Sequence, residues 1–110
     1  MEVSVDRAAG YTVLRPQGRL NMEAAPRLRT AIEEVVRDGV SRVVLDLSEV
    51  TFMDSSGLGA VIAGLKRARQ AGGDLRLAGA GEQVQTVMRL TNLDRVLRPH
   101  ATVPDAVDGW

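Results

Sequence analysis

The chain has 110 residues, 45% of them hydrophobic, enough for one compact core and too few for two ordinary domains, so residues 1–110 read as a single domain. Its 14 basic and 14 acidic residues cancel, which removes the bulk charge that nucleic acid or anionic lipid would need and leaves recognition to a local patch. With no cysteine and one histidine, a disulfide framework, a thiolate nucleophile and a multi-histidine metal site are excluded. The opening stretch mixes Glu2, Asp6 and Arg7 with apolar residues, unlike a signal peptide. No apolar run reaches the length that spans a bilayer, so the expectation is a cytoplasmic protein without a membrane partner.

In chain order, Val3 to Asp6 alternates apolar and polar residues, Ala9-Gly10 signals a turn, and Tyr11, Val13 and Leu14 resume the alternation up to Pro16. This predicts a hairpin, interrupted at Gln17-Gly18 and extended briefly by Arg19-Leu20. Asn21 stands where a helix cap belongs, ahead of Pro26 in a first turn. Leu28, Ala31, Ile32, Val35 and Val36 then keep helical spacing, and Asp38-Gly39 ends that helix. Val40, Val43, Val44, Leu45 and Leu47 form a nearly unbroken aliphatic run, which predicts a central strand buried on both faces.

Val50, Phe52 and Met53 return to the core, and after Asp54-Ser55-Ser56-Gly57-Leu58-Gly59 a second helix follows on Leu58, Val61, Ile62 and Leu65, closing at Gly72-Gly73. Leu75, Leu77 and Ala78 give a strand, and Glu82 to Leu90 a third helix with Val84, Val87 and Met88 inward. Val96-Leu97 is a candidate short strand, and Val103 to Val107, with Pro104, a last helix. The order ββαβαβαβα predicts an α/β fold with a mixed sheet of four to five strands and helices predominantly on one face.

The segment Asp54 to Gly59 carries the chemistry. A strand that enters a helix through Asp-Ser-Ser-Gly sets two hydroxyls and free backbone N–H groups at a helix N-terminus. Capping by Asp54, Ser55 or Ser56 accounts for part of this. It leaves Gly57 and Gly59 unexplained, since each weakens the first turn by roughly 1 kcal/mol relative to Ala; small residues there would suit a partner lying close against the helix start. A serine nucleophile would need a base, and the one histidine, His100, reads as a solvated turn residue; there is no Gly-x-Ser-x-Gly elbow, so no enzyme is expected and no catalytic residue assigned. Gly79-Ala80-Gly81 lacks the rest of a nucleotide fingerprint and reads as a tight strand-to-helix turn, so no cofactor and no metal are expected.

The run Val43 to Gly59, VVLDLSEVTFMDSSGLG, closely resembles the central motif of the STAS family, in particular its bacterial anti-sigma-factor antagonists. Gly18-Arg19-Leu20-Asn21 is similar to the family's Gly-x-Leu-Asp element, Ala71-Gly72-Gly73 to the turn after its second helix, and Val87 to Leu90 with Leu93 to its third helix and exit. The resemblance implies a partner-switching regulator of transcription. Unphosphorylated, it would bind an anti-sigma factor that is itself a GHKL-type serine kinase and so free a sigma factor. Phosphorylation at Ser55 would switch it off, and a serine phosphatase would restore it. The implied partner-binding residues are Asn21, Asp54, Ser55, Ser56, Gly57, Leu58 and Gly59, with Ser56 a capping or contact residue and Asp54 orienting the loop. Asn21 departs from the usual Asp, keeping the capping group and losing the charge. Within the same fold, the alternative is a STAS subunit that binds its partner constitutively, in a lipid-transport or stress-signalling complex; the hydroxyl pair favours regulation.

Overall fold

In a computed structural model describing residues 1–110, the strand β3 (Arg42–Asp46) runs between β2 (Tyr11–Leu20) and β5 (Asp74–Ala78), parallel to both. Val43, Val44 and Leu45 are wholly inaccessible, as the unbroken aliphatic run predicts. Because successive strand residues point to opposite faces, they feed two cores. Val43 and Leu45 join the large one, built with the helices α1 (Ala25–Arg37), α2 (Ser55–Gln70) and α3 (Glu82–Leu90). Val44 meets Val13, Ala78 and Ala106 on the other side, beneath the short helix α4 (Val103–Val107). Three helices thus share one face of the sheet, and one covers the middle of the other.

Helix boundaries follow their local chemistry. Leu28, Ala31, Ile32, Val35 and Val36 are the buried stripe of α1, and Gly39 leaves it with φ of 97°. Thr102 Oγ1 accepts a hydrogen bond from the Asp105 N–H and caps α4, with Pro104 in its first turn. Arg76 Nη1 donates to the carbonyls of Ala106 and Asp108 at 2.7 and 3.2 Å, fastening the end of α4 to β5. Trp110 closes this face, with the Arg76 guanidinium 4.3 Å from its ring centroid and the Tyr11 ring at 6.5 Å.

The sheet has the order β1-β2-β3-β5-β6, where β1 (Glu2–Ala8) is antiparallel to β2 and β6 is Pro99–His100. A sixth strand, β4 (Val50–Met53), lies off this path and pairs only with β2. The interruption at Gln17-Gly18 is a register shift rather than an end: β2 faces β3 over Thr12 to Leu14 and β4 over Gly18 to Leu20. Pro16 falls between the two stretches, where its missing N–H interrupts neither ladder. Val50 and Met53 are buried, but Phe52 is only half-buried, on the opposite side of the strand from Met53, with the Arg19 guanidinium 4.6 Å from its ring centroid.

Val96-Leu97 is not a strand. Asn92, with φ of 59°, leads into a 3₁₀ turn over Leu93–Arg95, and Val96 continues in helical geometry, 59% exposed. The strand comes later, at Pro99–His100, where the His100 carbonyl accepts the Gly79 N–H at 3.0 Å. His100 is therefore a half-buried strand residue and not a solvated turn.

An ion pair fastens three strands on the α4 side. Arg15 Nε donates to Asp46 Oδ2 at 2.9 Å and its Nη1 to Asp6 Oδ2 at 3.2 Å, while Asp46 Oδ1 accepts the Ser48 N–H at 3.0 Å. Burial opposes the charged form of Asp46, but hydrogen bonding from Ser48 and then Arg15 outweighs it and holds the carboxyl below its ordinary range. A depressed folded-state value contributes stability that is complete above the unfolded aspartate range and is lost as pH falls through the folded value. Asp46→Asn is therefore expected to cost about 1–2 kcal/mol at neutral pH. The gap to the parent should narrow below about pH 4. Urea unfolding of both proteins at pH 7 and pH 3 measures it, and a gap of equal size at both would contradict this account.

Candidate functional site

The site begins where β4 hands over to α2. Asp54 is extended, with φ −107° and ψ −172°, and its Oδ1 accepts the Gly57 N–H at 3.0 Å, so Asp54 is the N-cap. Of the three capping candidates in the sequence, the carboxylate takes the task. Ser55, at the first helical position, is exposed, and Ser56 is half-buried beside it. The expectation that Ser56 caps the helix is thus replaced by Asp54.

β2 and β4 run parallel, so both deliver their following residues at one end of the sheet, and Leu20 pairs with Met53. The Asp54 N–H donates to the Leu20 carbonyl at 3.3 Å, which sets Asn21 next to the Ser55 loop. Asn21 Oδ1 accepts the N–H groups of Glu23 and Ala24, both at 3.1 Å. Its cap therefore closes the turn ahead of α1, and α1 itself starts at Ala25. An Asp at this position would keep both acceptor bonds and add a charge. In the same turn Met22 is 72% exposed, an apolar side chain beside the site that the helical periodicity does not single out.

The remaining motif residues divide. A Cβ on Gly57 would be driven into the Leu20 carbonyl, so the close neighbour that excludes a side chain is β2 of the same chain and not a partner. Leu58, 8% exposed, anchors the helix in the large core and offers a partner almost nothing. Gly59 differs: the nearest atom to an added Cβ is Arg29 Nη2, at 3.5 Å. Asn21, Asp54, Ser55, Ser56 and Gly59 are the residues of the motif that retain accessible surface.

One contact at the site has no counterpart in the sequence reading. The Met53 N–H donates to Gln83 Oε1 at 2.8 Å, and Gln83 Nε2 donates to the Met53 carbonyl at 2.9 Å. No local signal marks Gln83, a polar residue in the first turn of α3 separated from Met53 by 30 positions.

Comparison with known proteins gives a consistent picture. The STAS domain family profile matches residues 2–106. The anti-sigma-F factor antagonist RsfB of Mycobacterium tuberculosis is 32% identical over 107 residues, 97% of this chain and 87% of that protein. A candidate anti-sigma factor antagonist of Thermotoga maritima is 33% identical over 97 residues, 87% of this chain and 86% of its own. A Thermotoga maritima crystal structure of such a protein superposes with TM-score 0.89 at 30% identity, covering 96% of this chain and 92% of that one.

Gly57, buried, and Gly59, half-buried, separate internal packing from surface freedom at the start of α2. Gly57→Ala is expected to destabilise the fold by at least about 2 kcal/mol, because backbone must move to admit the methyl group. Gly59→Ala meets no such obstacle and should gain up to about 1 kcal/mol from helix propensity. Thermal unfolding of the two variants checks this; a shift of the same sign in both would show that the Leu20 contact does not set them apart.

Proposed function

The chain belongs to the STAS family, and from that premise we propose that it is an anti-sigma-factor antagonist switched by phosphorylation at Ser55. The observation that carries this reading is the free, exposed Ser55 at the start of α2, next to a carboxylate that does the capping. Ser55 is thus available to a kinase without the helix losing its cap. Unphosphorylated, the face formed by Asn21, the Asp54–Ser56 loop and Gly59 binds an anti-sigma factor of the GHKL serine-kinase type, which releases a sigma factor. The kinase supplies ATP and base, so this chain acts as substrate and ligand rather than as an enzyme. A serine phosphatase reverses the modification.

The physics of the switched state is a competition. A phosphate on Ser55 brings about −1.5 to −2 charges. The helix N-terminus favours that charge by about 0.3–1 kcal/mol, while the Asp54 carboxylate one residue away opposes it. Within the chain the two effects oppose each other, and Ser55 carries no support of the fold that phosphate would remove. Against a docked partner there is no such opposition: charge, bulk and desolvation all act to expel it.

Ser55→Ala should fold normally, bind the anti-sigma factor and resist release. Ser55→Asp should weaken binding by about tenfold, equivalent to about 1.4 kcal/mol. Ser56→Ala should still accept one phosphate, and Asn21→Asp should change the affinity without altering the fold. Intact-mass and phosphosite analysis after incubation with the co-purifying kinase and ATP, paired with binding of each variant, is the measurement. Phosphate on Ser56 alone, or a complex indifferent to ATP, would overturn the switch in favour of a constitutive STAS subunit of a lipid-transport or stress-signalling complex.

A further inference from the structure

We propose that Gln83 is a positioning residue for the Ser55 site: its side-chain amide acts as a detachable strand partner for Met53 and couples α3 to the start of α2. The chemistry is that of a missing neighbour strand. β4 is hydrogen-bonded to β2 on one side only. On the other side the Met53 N–H and carbonyl need an acceptor and a donor, and a primary amide presents one of each. Gln83 supplies both, at 2.8 and 2.9 Å.

The location gives the contact its consequence. Met53 immediately precedes the capping residue Asp54, which precedes Ser55. The peptide at this junction is held from three directions: the Met53 side chain is buried in the large core, the Asp54 N–H donates to Leu20, and Gln83 grips the Met53 backbone. The first two come with the packing of the strand end and its pairing with β2. The third comes from another element and rests on one side chain, so both of its bonds are made or lost together. Gln83 in turn is fixed by the seating of α3, whose Val84 and Met88 are almost fully buried and whose Gln85 Nε2 donates to the Ala80 carbonyl at 2.8 Å. A shift of α3 therefore reaches the residues that aim Ser55 through the Gln83–Met53 contact.

The functional half of this inference rests on the reading of Ser55 as the phosphorylation site; the structural half does not. The test is made on the full chain with Gln83→Met, unbranched and of similar length but without the amide, and Gln83→Glu, which keeps the acceptor for the Met53 N–H and drops the donor. Amide hydrogen exchange by NMR is read residue by residue. In Gln83→Met the protection of Met53 should fall by about tenfold or more, with Asp54 to Gly57 following, while Val44 and Leu45 of β3 stay as in the parent. Gln83→Glu should lie between the two, and it decides the question if Gln83→Met fails to fold. With the co-purifying serine kinase and ATP, the rate of Ser55 phosphorylation should fall by about threefold or more in the variant whose β3 protection is unchanged, an effect that simple loss of stability would not produce. Parental protection of Met53 in the variants would overturn the clamp. Loosened Met53 with unchanged phosphorylation would overturn the coupling. A parent chain that takes no phosphate at all would instead count against the proposed switch, and the exchange data would still decide the clamp.

Discussion

Val43, Val44 and Leu45 lose all contact with water, and neighbouring residues of a strand point in opposite directions, so each side of the sheet has to be covered. Each such side chain contributes about 1.5–3 kcal/mol by its burial. That requirement organises the domain. α1, α2 and α3 supply the broad cover, and α4, a helix of five residues, supplies the minimum needed over Val44. Parallel pairing of β3 with both neighbours then brings the ends of the strands to one edge, where the chain leaves β2, β4 and β5 for α1, α2 and α3. Loops at the carboxyl ends of parallel strands are where α/β folds place their interaction sites, and the Asp54 loop lies there.

Within that loop, tasks that a single residue often combines are distributed. Asp54 caps the helix, Gly57 permits the approach of α2 to Leu20, and Leu58 anchors the first turn. Ser55 has none of these duties. A chemical change on its hydroxyl therefore alters the surface without removing a support of the fold. The same separation explains why adjacent positions of one motif answer differently to substitution.

Periodicity made much of this legible in advance. The double burial of β3, the apolar stripes of α1 and α3 and the helix over Val103–Val107 are local patterns, and the structure follows them. What the pattern did not contain is pairing at long range. Arg15 with Asp46 and Gln83 with Met53 are separated by 31 and 30 residues, and nothing in either neighbourhood announces its partner. β4 and β6, of four and two residues, are too short to display a period; the alternation that would have placed Phe52 outward needs more strand than Val50–Met53 provides. Gly57 is instructive in another way. A small residue at a helix start signals a close neighbour, but the sequence does not say whether the neighbour belongs to a partner or, as here, to Leu20 of the same chain.

The sequence has one tryptophan, and Trp110 packs against the α4 side of the sheet, within reach of Arg76 and Tyr11. Ser55 begins a helix on the opposite side. The indole is thus an intrinsic fluorophore insulated from the Ser55 loop by the full thickness of the sheet. Its emission should follow the packing of the α4 side, where Arg76, Arg42 and Tyr11 surround it, rather than chemistry confined to that loop. A change in tryptophan emission on modification of Ser55 would mean that the disturbance had crossed β3.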